Sequence, residues 1–193
     1  MKLILTRHGE TEENKIGITQ GHLPGKLTEL GIEQAKKLAL RFKDEKIDAI
    51  YSSDLARAAD TAKKIAKFHP EAPFQLTKEL REREHGDFTG KKHSEIEWSN
   101  FPENAETEEQ IVERAKKFID GVYERYKDST VLFMGHGGIN SAVISVIIGK
   151  EFQEVFDMES WRNTNVNVFE IYEDKSHKIH CLNCVKHLEE QNN

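Results

Sequence analysis

The sequence predicts an α/β fold with a mostly parallel mixed sheet and helices on both of its faces. Short apolar runs bounded by turn-forming residues alternate with longer segments in which apolar residues recur at helical spacing. Strands that alternate with helices pair in parallel, because each helix carries the chain back across one face of the sheet. Two strand-like segments close the sequence and can add an antiparallel edge.

The first third of the chain contains two predicted strands. An apolar run that begins at Leu3 ends in Arg7 and His8 and is typical of a buried strand. A polar loop is expected over residues 12–24, and Thr28 is the expected N-cap of the next helix. The apolar face of that helix consists of Leu30, Ala35, Leu38, Ala39 and Phe42. A second strand is predicted over residues 48–52.

The middle of the chain is predicted to hold two further helices and a short strand. Ser53 and Asp54 have side chains that cap helices, and apolar residues recur at helical spacing between positions 55 and 66. A short strand is expected over residues 74–76, followed by a charged loop over residues 79–93. Thr107 and Gln110 fit a capping box at the start of a helix over residues 107–126.

The last third begins with a continuous apolar strand over residues 130–134, which runs into Gly135-His136-Gly137-Gly138. A helix is predicted from there to residue 148, where Gly149 stops it. The closing strands are expected over residues 166–171 and 178–185, with a turn at residues 174–176.

Length and charge restrict the function classes. The 193 residues suffice for one substantial core, and we expect a single domain over residues 1–193. The net charge of −6 argues against nucleic acid as the main partner, because binding to a phosphate backbone requires clustered Lys and Arg. No apolar run approaches the roughly 18 residues of a membrane span, and no signal peptide is recognisable, so we expect a cytoplasmic protein without membrane contact. The oligomeric state is unknown at this point.

Side chains able to do chemistry follow each of the first four predicted strands. Arg7 and His8 follow the first, Arg57 follows the second, Glu82 the third and His136 the fourth. Because the carboxyl ends of parallel strands meet at one edge of a sheet, we expect these five side chains to lie close together.

Two histidines, two arginines and a carboxylate suit phosphoryl transfer without a metal. Arginine grips phosphate oxygens with a planar fork of donors, and neutral imidazole is a competent nucleophile near pH 7. A carboxylic acid such as Glu82 can protonate the leaving alkoxide and, as a carboxylate, can then activate water. The helix that opens at Gly137 would present backbone N–H groups and its positive dipole end to an anion.

Several motifs occur in a fixed order along the chain. They are Arg7-His8-Gly9-Glu10-Thr11, Asn14, Gln20-Gly21, Leu27-Thr28-Glu29-Leu30-Gly31, Ser52-Ser53-Asp54-Leu55-Ala56-Arg57-Ala58, Leu80-Arg81-Glu82-Arg83, Gly86, Gly90 and Gly135-His136-Gly137-Gly138. In type, order and separation they resemble the histidine phosphatase superfamily, also called phosphoglycerate-mutase-like, over nearly the whole chain.

This resemblance implies a phosphoglycerate-mutase-like fold, a phosphohistidine intermediate on His8, and no metal or other cofactor. It implies a phosphate pocket of Arg7, Arg57 and His136, with Glu82 as proton donor. Secondary phosphate or substrate contacts are implied for Asn14, Gln20, the backbone at Gly21, and Arg83.

Three functions remain open from the sequence. The first is a phosphatase that hydrolyses a small phosphorylated metabolite, the second is a phosphoglycerate mutase, and the third is a phospho-ligand binding module without catalysis. The mutases of this family usually carry a longer, basic segment between the acid residue and the next long helix. Here that segment is short and contains an acidic stretch, so the mutase ranks lower. The family pattern also changes here, with His85, Phe88 and Thr89 at positions where other residues are usual, so the substrate is left open.

The two cysteines, Cys181 and Cys184, lie near three histidines, His177, His180 and His187. A metal site and a pair of packed thiols are both compatible with this composition. Because residues three apart in a regular strand point to opposite faces, we expect packed cysteines rather than metal ligands.

Overall fold

A computed structural model describes residues 1–158 and 161–189 and contains a six-stranded sheet in the order β3-β2-β4-β1-β5-β6. The strands are β1 (Lys2–Arg7), β2 (Ala49–Ser53), β3 (Phe74–Thr77), β4 (Thr130–Gly135), β5 (Val166–Ile171) and β6 (His177–Cys184). Strands β1 to β4 pair in parallel, whereas β5 pairs antiparallel with β1, and β6 pairs antiparallel with β5. The predicted mixed α/β sheet, including its antiparallel edge, is confirmed.

Helices cover both faces of this sheet. They are α1 (Glu12–Lys15), α2 (Glu29–Phe42), α3 (Ala56–Ala66), α4 (Glu108–Arg125), α5 (Gly137–Ile148) and α6 (Phe152–Met158). Successive strand residues point to opposite faces, so Leu3 and Leu5 pack with α4 and α5, whereas Ile4 packs with α2 and α3. Each face of the sheet therefore has its own hydrophobic cluster.

The register of the parallel strands places their carboxyl ends at one edge. Arg7 at the end of β1 is paired with Gly135 at the end of β4, and Ser52 of β2 is paired with Met134. The residues that follow these strands therefore emerge together, as the topology argument required.

Asp54 does not cap α3, which corrects the sequence prediction. The N-cap is Leu55, one residue after Asp54, and it makes no side-chain cap bond, while Ser53 Oγ accepts the N–H of Leu55. Asp54 instead accepts two hydrogen bonds from Arg81, each 2.6 Å long, and so ties the end of β2 to the segment that carries Glu82.

Three other expectations about local structure were wrong, and one helix was not predicted. The polar loop over residues 12–24 contains α1, because Thr11 and Asn14 form a capping box that starts a short helix. The seven-residue helix α6 was not predicted, and the loop over residues 79–93 contains 3₁₀ turns at Gly86–Phe88 and His93–Glu95. Leu30, assigned to the apolar face of α2, is exposed to solvent.

Strand β6 contains a bulge that overturns the argument about its cysteines. Val166 of β5 is paired with Cys184 and Val168 with Cys181, so two steps along β5 match three steps along β6. Asn183 within the bulge has a φ of 46°. Paired residues of neighbouring strands point to the same face, so Cys181 and Cys184 share the face that packs against α2.

In the part of the chain that the structure describes, no helix is long and apolar enough to cross a membrane.

The start of α2 lies directly against the segment after β1, and this close approach needs glycine. A Cβ at Gly31 would lie 2.0 Å from the backbone oxygen of Glu10, whereas a Cβ at Gly121, in the exposed middle of α4, would meet nothing within 4 Å. We expect Gly31→Ala to destabilise the fold by about 1–3 kcal/mol. Gly121→Ala should stabilise it by about 0.5–1 kcal/mol, because alanine favours helix. Urea unfolding of both variants measures these changes, and a stabilised Gly31→Ala variant would contradict the close approach.

Candidate active site

A cavity of about 850 Å³ opens at the carboxyl edge of the parallel strands. Its wall includes four of the five side chains that the sequence singled out, namely Arg7, His8, Arg57 and Glu82. The fifth, His136, is fully buried behind the wall, and its ring centroid lies 5.1 Å from that of His8. The structure thus brings all five together.

His8 is buried, and one hydrogen bond fixes its tautomer. Its Nδ1 atom lies 2.7 Å from the carbonyl oxygen of Gly9, and a carbonyl only accepts, so Nδ1 carries the proton. Burial lowers the pKa of His8 well below the usual value, and the charges of Arg57 and Arg7 lower it further. At neutral pH His8 is therefore an uncharged imidazole whose Nε2 atom holds a lone pair.

His136 has the opposite tautomer. Arg57 donates from Nε to His136 Nδ1 over 3.1 Å, which makes Nδ1 the acceptor and leaves the proton on Nε2. That Nε2 atom is buried and has no hydrogen-bond partner among residues 1–158 and 161–189. Burial, and then the nearby Arg57 and His8, hold the pKa of His136 well below its ordinary value. The neutral His136 ring therefore offers an N–H donor close to the neutral His8 ring and its lone pair.

The two arginines are held by backbone carbonyls. Arg57 donates to the carbonyls of Leu23 and Gly21, and burial lowers its pKa to about 10. Arg7 donates to the carbonyl of Trp161, while its Nε is buried and lacks a partner in the described chain. Since a guanidinium has five N–H donors, each arginine keeps donors for an anion in the cavity.

The Glu82 carboxylate binds the backbone N–H groups at the beginning of α5. Its Oε1 atom accepts the N–H groups of Gly138 at 2.8 Å, Ile139 at 3.3 Å and Arg83 at 2.8 Å. The sequence led us to expect that this helix end would face an external anion, but the Glu82 carboxylate takes those N–H groups instead. Gly137 still lines the cavity. A Cβ on Gly138 would lie 2.6 Å from Oε1, so this contact needs glycine.

The four further contacts implied by the resemblance all line the cavity, namely Asn14, Gln20, Gly21 and Arg83. Gln20 is buried, and its Oε1 has no partner in the described residues. The Arg83 guanidinium lies 4.2 Å from the ring centroid of Phe101, and its Nε donates to the carbonyl of Glu106. Gly21 uses its carbonyl oxygen to hold Arg57, so it acts on the site through that arginine.

Sequence reasoning assigned no role to Asn163 and Thr164, which hold the end of β1 in place through its backbone carbonyls. The N–H of Thr164 donates to the carbonyls of Arg7 and His8, and Asn163 Nδ2 donates to the His8 carbonyl over 3.0 Å. It also missed His22, whose Nε2 lies 2.9 Å from the Glu82 carbonyl and whose Nδ1 lies 2.9 Å from Glu84.

The outer wall of the cavity is largely aromatic, and nothing in the sequence beyond composition indicated it. The aromatic side chains there are Trp98, Phe101, Phe152, Phe156 and Trp161. Two of them come from α6, which was not predicted, and two from the segment between Glu82 and α4. Within the described residues, no group of three or more His, Cys, Asp or Glu side chains is arranged to hold a metal ion.

Comparison with known proteins identifies a family, relatives and structural neighbours of this chain. A family profile described as "Histidine phosphatase superfamily (branch 1)" matches residues 3–184. Phosphoglycerate mutase-like protein 4 of Arabidopsis thaliana is 30% identical, over 98% of this chain and 87% of its own length. Adenosylcobalamin/alpha-ribazole phosphatase of Escherichia coli is 30% identical, over 86% of this chain and 91% of its own. The structure of phosphoserine phosphatase from Entamoeba histolytica with 3-phosphoglyceric acid has a TM-score of 0.87 at 27% identity, covering 97% of this chain and 99% of that one.

The two buried neutral histidines make stability depend on pH. Unfolded histidine titrates near pH 6.5, whereas burial lowers the pKa of His8 and His136 in the folded protein. As the pH falls below about 6.5, the unfolded chain gains protons that the folded chain does not, so stability falls. Each histidine contributes up to about 1.4 kcal/mol per pH unit. Unfolding free energies measured from pH 7 to pH 5 should show a shallower slope in His136→Asn, and an unchanged slope would contradict a neutral buried His136.

Proposed function

The chain belongs to the histidine phosphatase superfamily, and on that premise we propose that it hydrolyses phosphomonoesters by transferring the phosphoryl group to His8. One observation carries this proposal. The bond from His8 Nδ1 to the Gly9 carbonyl leaves Nε2 as a lone pair in a cavity flanked by two guanidinium groups. A neutral nucleophile beside fixed positive charge is the arrangement that attack on a phosphate dianion requires.

In the first step, the substrate phosphate binds to the remaining N–H groups of Arg7 and Arg57 and to the Nε2–H of His136. His8 Nε2 attacks phosphorus, the nitrogen–phosphorus bond forms and the ester bond breaks. Glu82 in its acid form gives its proton to the leaving alkoxide. The donors stabilise charge on the equatorial oxygens while the protein supplies position.

In the second step, water attacks the phosphohistidine and the nitrogen–phosphorus bond breaks. The Glu82 carboxylate takes a proton from that water and returns to its starting state. Oε1 is held by three backbone N–H groups, so Oε2 is the oxygen that exchanges the proton. No step in this scheme needs a metal ion or other cofactor.

The substrate is proposed to be a small phosphorylated metabolite. The relatives named for phosphoserine and for alpha-ribazole phosphate chemistry support this class. The cavity is at the upper end of the size usual for small-molecule sites, and its outer wall is aromatic. An alcohol with a planar or apolar portion would make contact with that wall, so such phosphoesters are the first to assay. Cytoplasmic location stays a prediction from the sequence, which fractionation of cells would test.

His8→Ala should lower kcat by at least about a thousandfold, because the covalent route loses its nucleophile. Denaturing quench during turnover of labelled substrate should trap phosphate on the wild-type protein and none on the variant. His180→Ala, on the far edge strand β6, is the matched control and should keep full activity. An active His8→Ala variant would refute the proposal.

A panel of phosphoesters separates the phosphatase from the mutase and from the binding module. Release of free phosphate from a panel of phosphoesters, unchanged by chelator, indicates a metal-independent phosphatase. Interconversion of phosphoglycerate isomers in the presence of bisphosphoglycerate would indicate a mutase instead. Binding of phosphoesters without turnover by any of them would indicate a binding module.

Glu82→Gln should retain the accepting oxygen at the start of α5 but lose the proton. We expect kcat to fall about 10²- to 10⁴-fold for an alkyl phosphate. The loss should be much smaller for 4-nitrophenyl phosphate, because nitrophenolate leaves without protonation. An equal loss for both substrates would show that Glu82 is not the proton donor.

A further inference from the structure

The register of β6 places its two cysteines at a separation that a disulfide can span. The bulge aligns Cys181 and Cys184 with Val168 and Val166, which are two residues apart on β5. Two residues of a strand span about 6.6 Å. Disulfides join residues whose Cα atoms lie about 4.4–6.8 Å apart. Both cysteines are free, and each is partly exposed, so a small reagent can reach them.

Arg41 of α2 connects the two thiols. Its Nη1 atom lies 3.3 Å from Cys184 Sγ, and its guanidinium also interacts with Cys181. Burial alone would raise the pKa of Cys184, but the N–H of Lys186 and the Arg41 guanidinium outweigh burial and hold that pKa below its usual value. Burial and the neighbouring Cys184 raise the pKa of Cys181. The two thiols are therefore unequal, and Cys184 is the better source of thiolate.

We propose that Cys181 and Cys184 form a dithiol site for peroxide oxidants that closes to an intrachain disulfide. The Cys184 thiolate attacks one peroxide oxygen, the O–O bond breaks, and water leaves after protonation, which gives a sulfenic acid. Cys181 sulfur then attacks Cys184 sulfur, the S–O bond breaks, and a second water leaves with the Cys181 proton. Two thiols are oxidised by two electrons in all, and one hydrogen peroxide is reduced to two waters.

A chain of contacts leads from this site to His8. Arg41 Nη1 lies 3.3 Å from His187 Nδ1, and His187 Nε2 lies 3.2 Å from Thr164 Oγ1. The N–H of Thr164 donates to the carbonyls of Arg7 and His8. A disulfide changes the Cys184 sulfur that Arg41 contacts and so alters the first contact of this chain, and we expect oxidation to lower kcat. This link to activity rests on the proposed phosphatase function.

The test treats the full chain with hydrogen peroxide near pH 7 and counts thiols in denaturant. We expect both thiols to disappear, the intact mass to fall by two hydrogen atoms, no covalent dimer to form without reductant, and dithiothreitol to reverse the change. A mass gain of oxygen atoms alone, covalent dimers, or two surviving thiols would overturn the proposal.

Single variants test the order of events. In Cys181→Ser, Cys184 should accumulate a sulfenic acid that dimedone traps. Cys184→Ser should react with peroxide at about one tenth of the Cys181→Ser rate or below. With both cysteines present, Arg41→Gln should slow the oxidation by peroxide about three- to tenfold relative to the wild-type protein. Equal rates in the two cysteine variants would overturn the assigned order. A disulfide with unchanged kcat would overturn the link to activity, and thiol counts stay readable even if the protein shows no phosphatase activity.

Discussion

The hydrogen bond from His8 Nδ1 to the Gly9 carbonyl is the interaction on which the rest of the site depends. It places the ring proton of His8 on Nδ1 and leaves the lone pair on Nε2. The bond from Arg57 to His136 Nδ1 does the reverse for the second histidine and turns its Nε2 into a donor. Burial keeps both rings uncharged, since it lowers both pKa values. The proposed nucleophile, His8, and the proposed hydrogen-bond donor to phosphate, His136, are thus both neutral histidines in one pocket.

The fold serves this pair by fixing the backbone on either side of it. The parallel register of β1 and β4 sets the separation of His8 and His136. Thr164, two residues before β5, donates its N–H to the carbonyls of Arg7 and His8. Glu82 is held by backbone N–H groups at the start of α5, the helix that follows His136. The proposed proton donor, Glu82, and the second histidine, His136, are therefore positioned by one helix end.

The sequence predicted the parallel strands and the five clustered side chains, because both follow from apolar periodicity and from the rule that parallel strands end at one edge. It did not predict that Asp54 would pair with Arg81 or that Glu82 would fill the start of α5, because these contacts join residues that are far apart in the chain. The short helices α1 and α6 depend on local caps and tertiary packing rather than on a long periodic pattern. The bulge at Asn183 likewise puts Cys181 and Cys184 on the same face of β6, which ideal strand geometry would not do.

Nitrogen-15 NMR of the imidazole rings tests the central claim most directly, since long-range correlations distinguish the two neutral tautomers and the charged ring. At pH 7 we predict that His8 is neutral with its proton on Nδ1 and that His136 is neutral with its proton on Nε2. Neither ring should titrate near pH 6.5. A His8 ring protonated on Nε2, or a His8 that titrates with an ordinary pKa, would contradict the account.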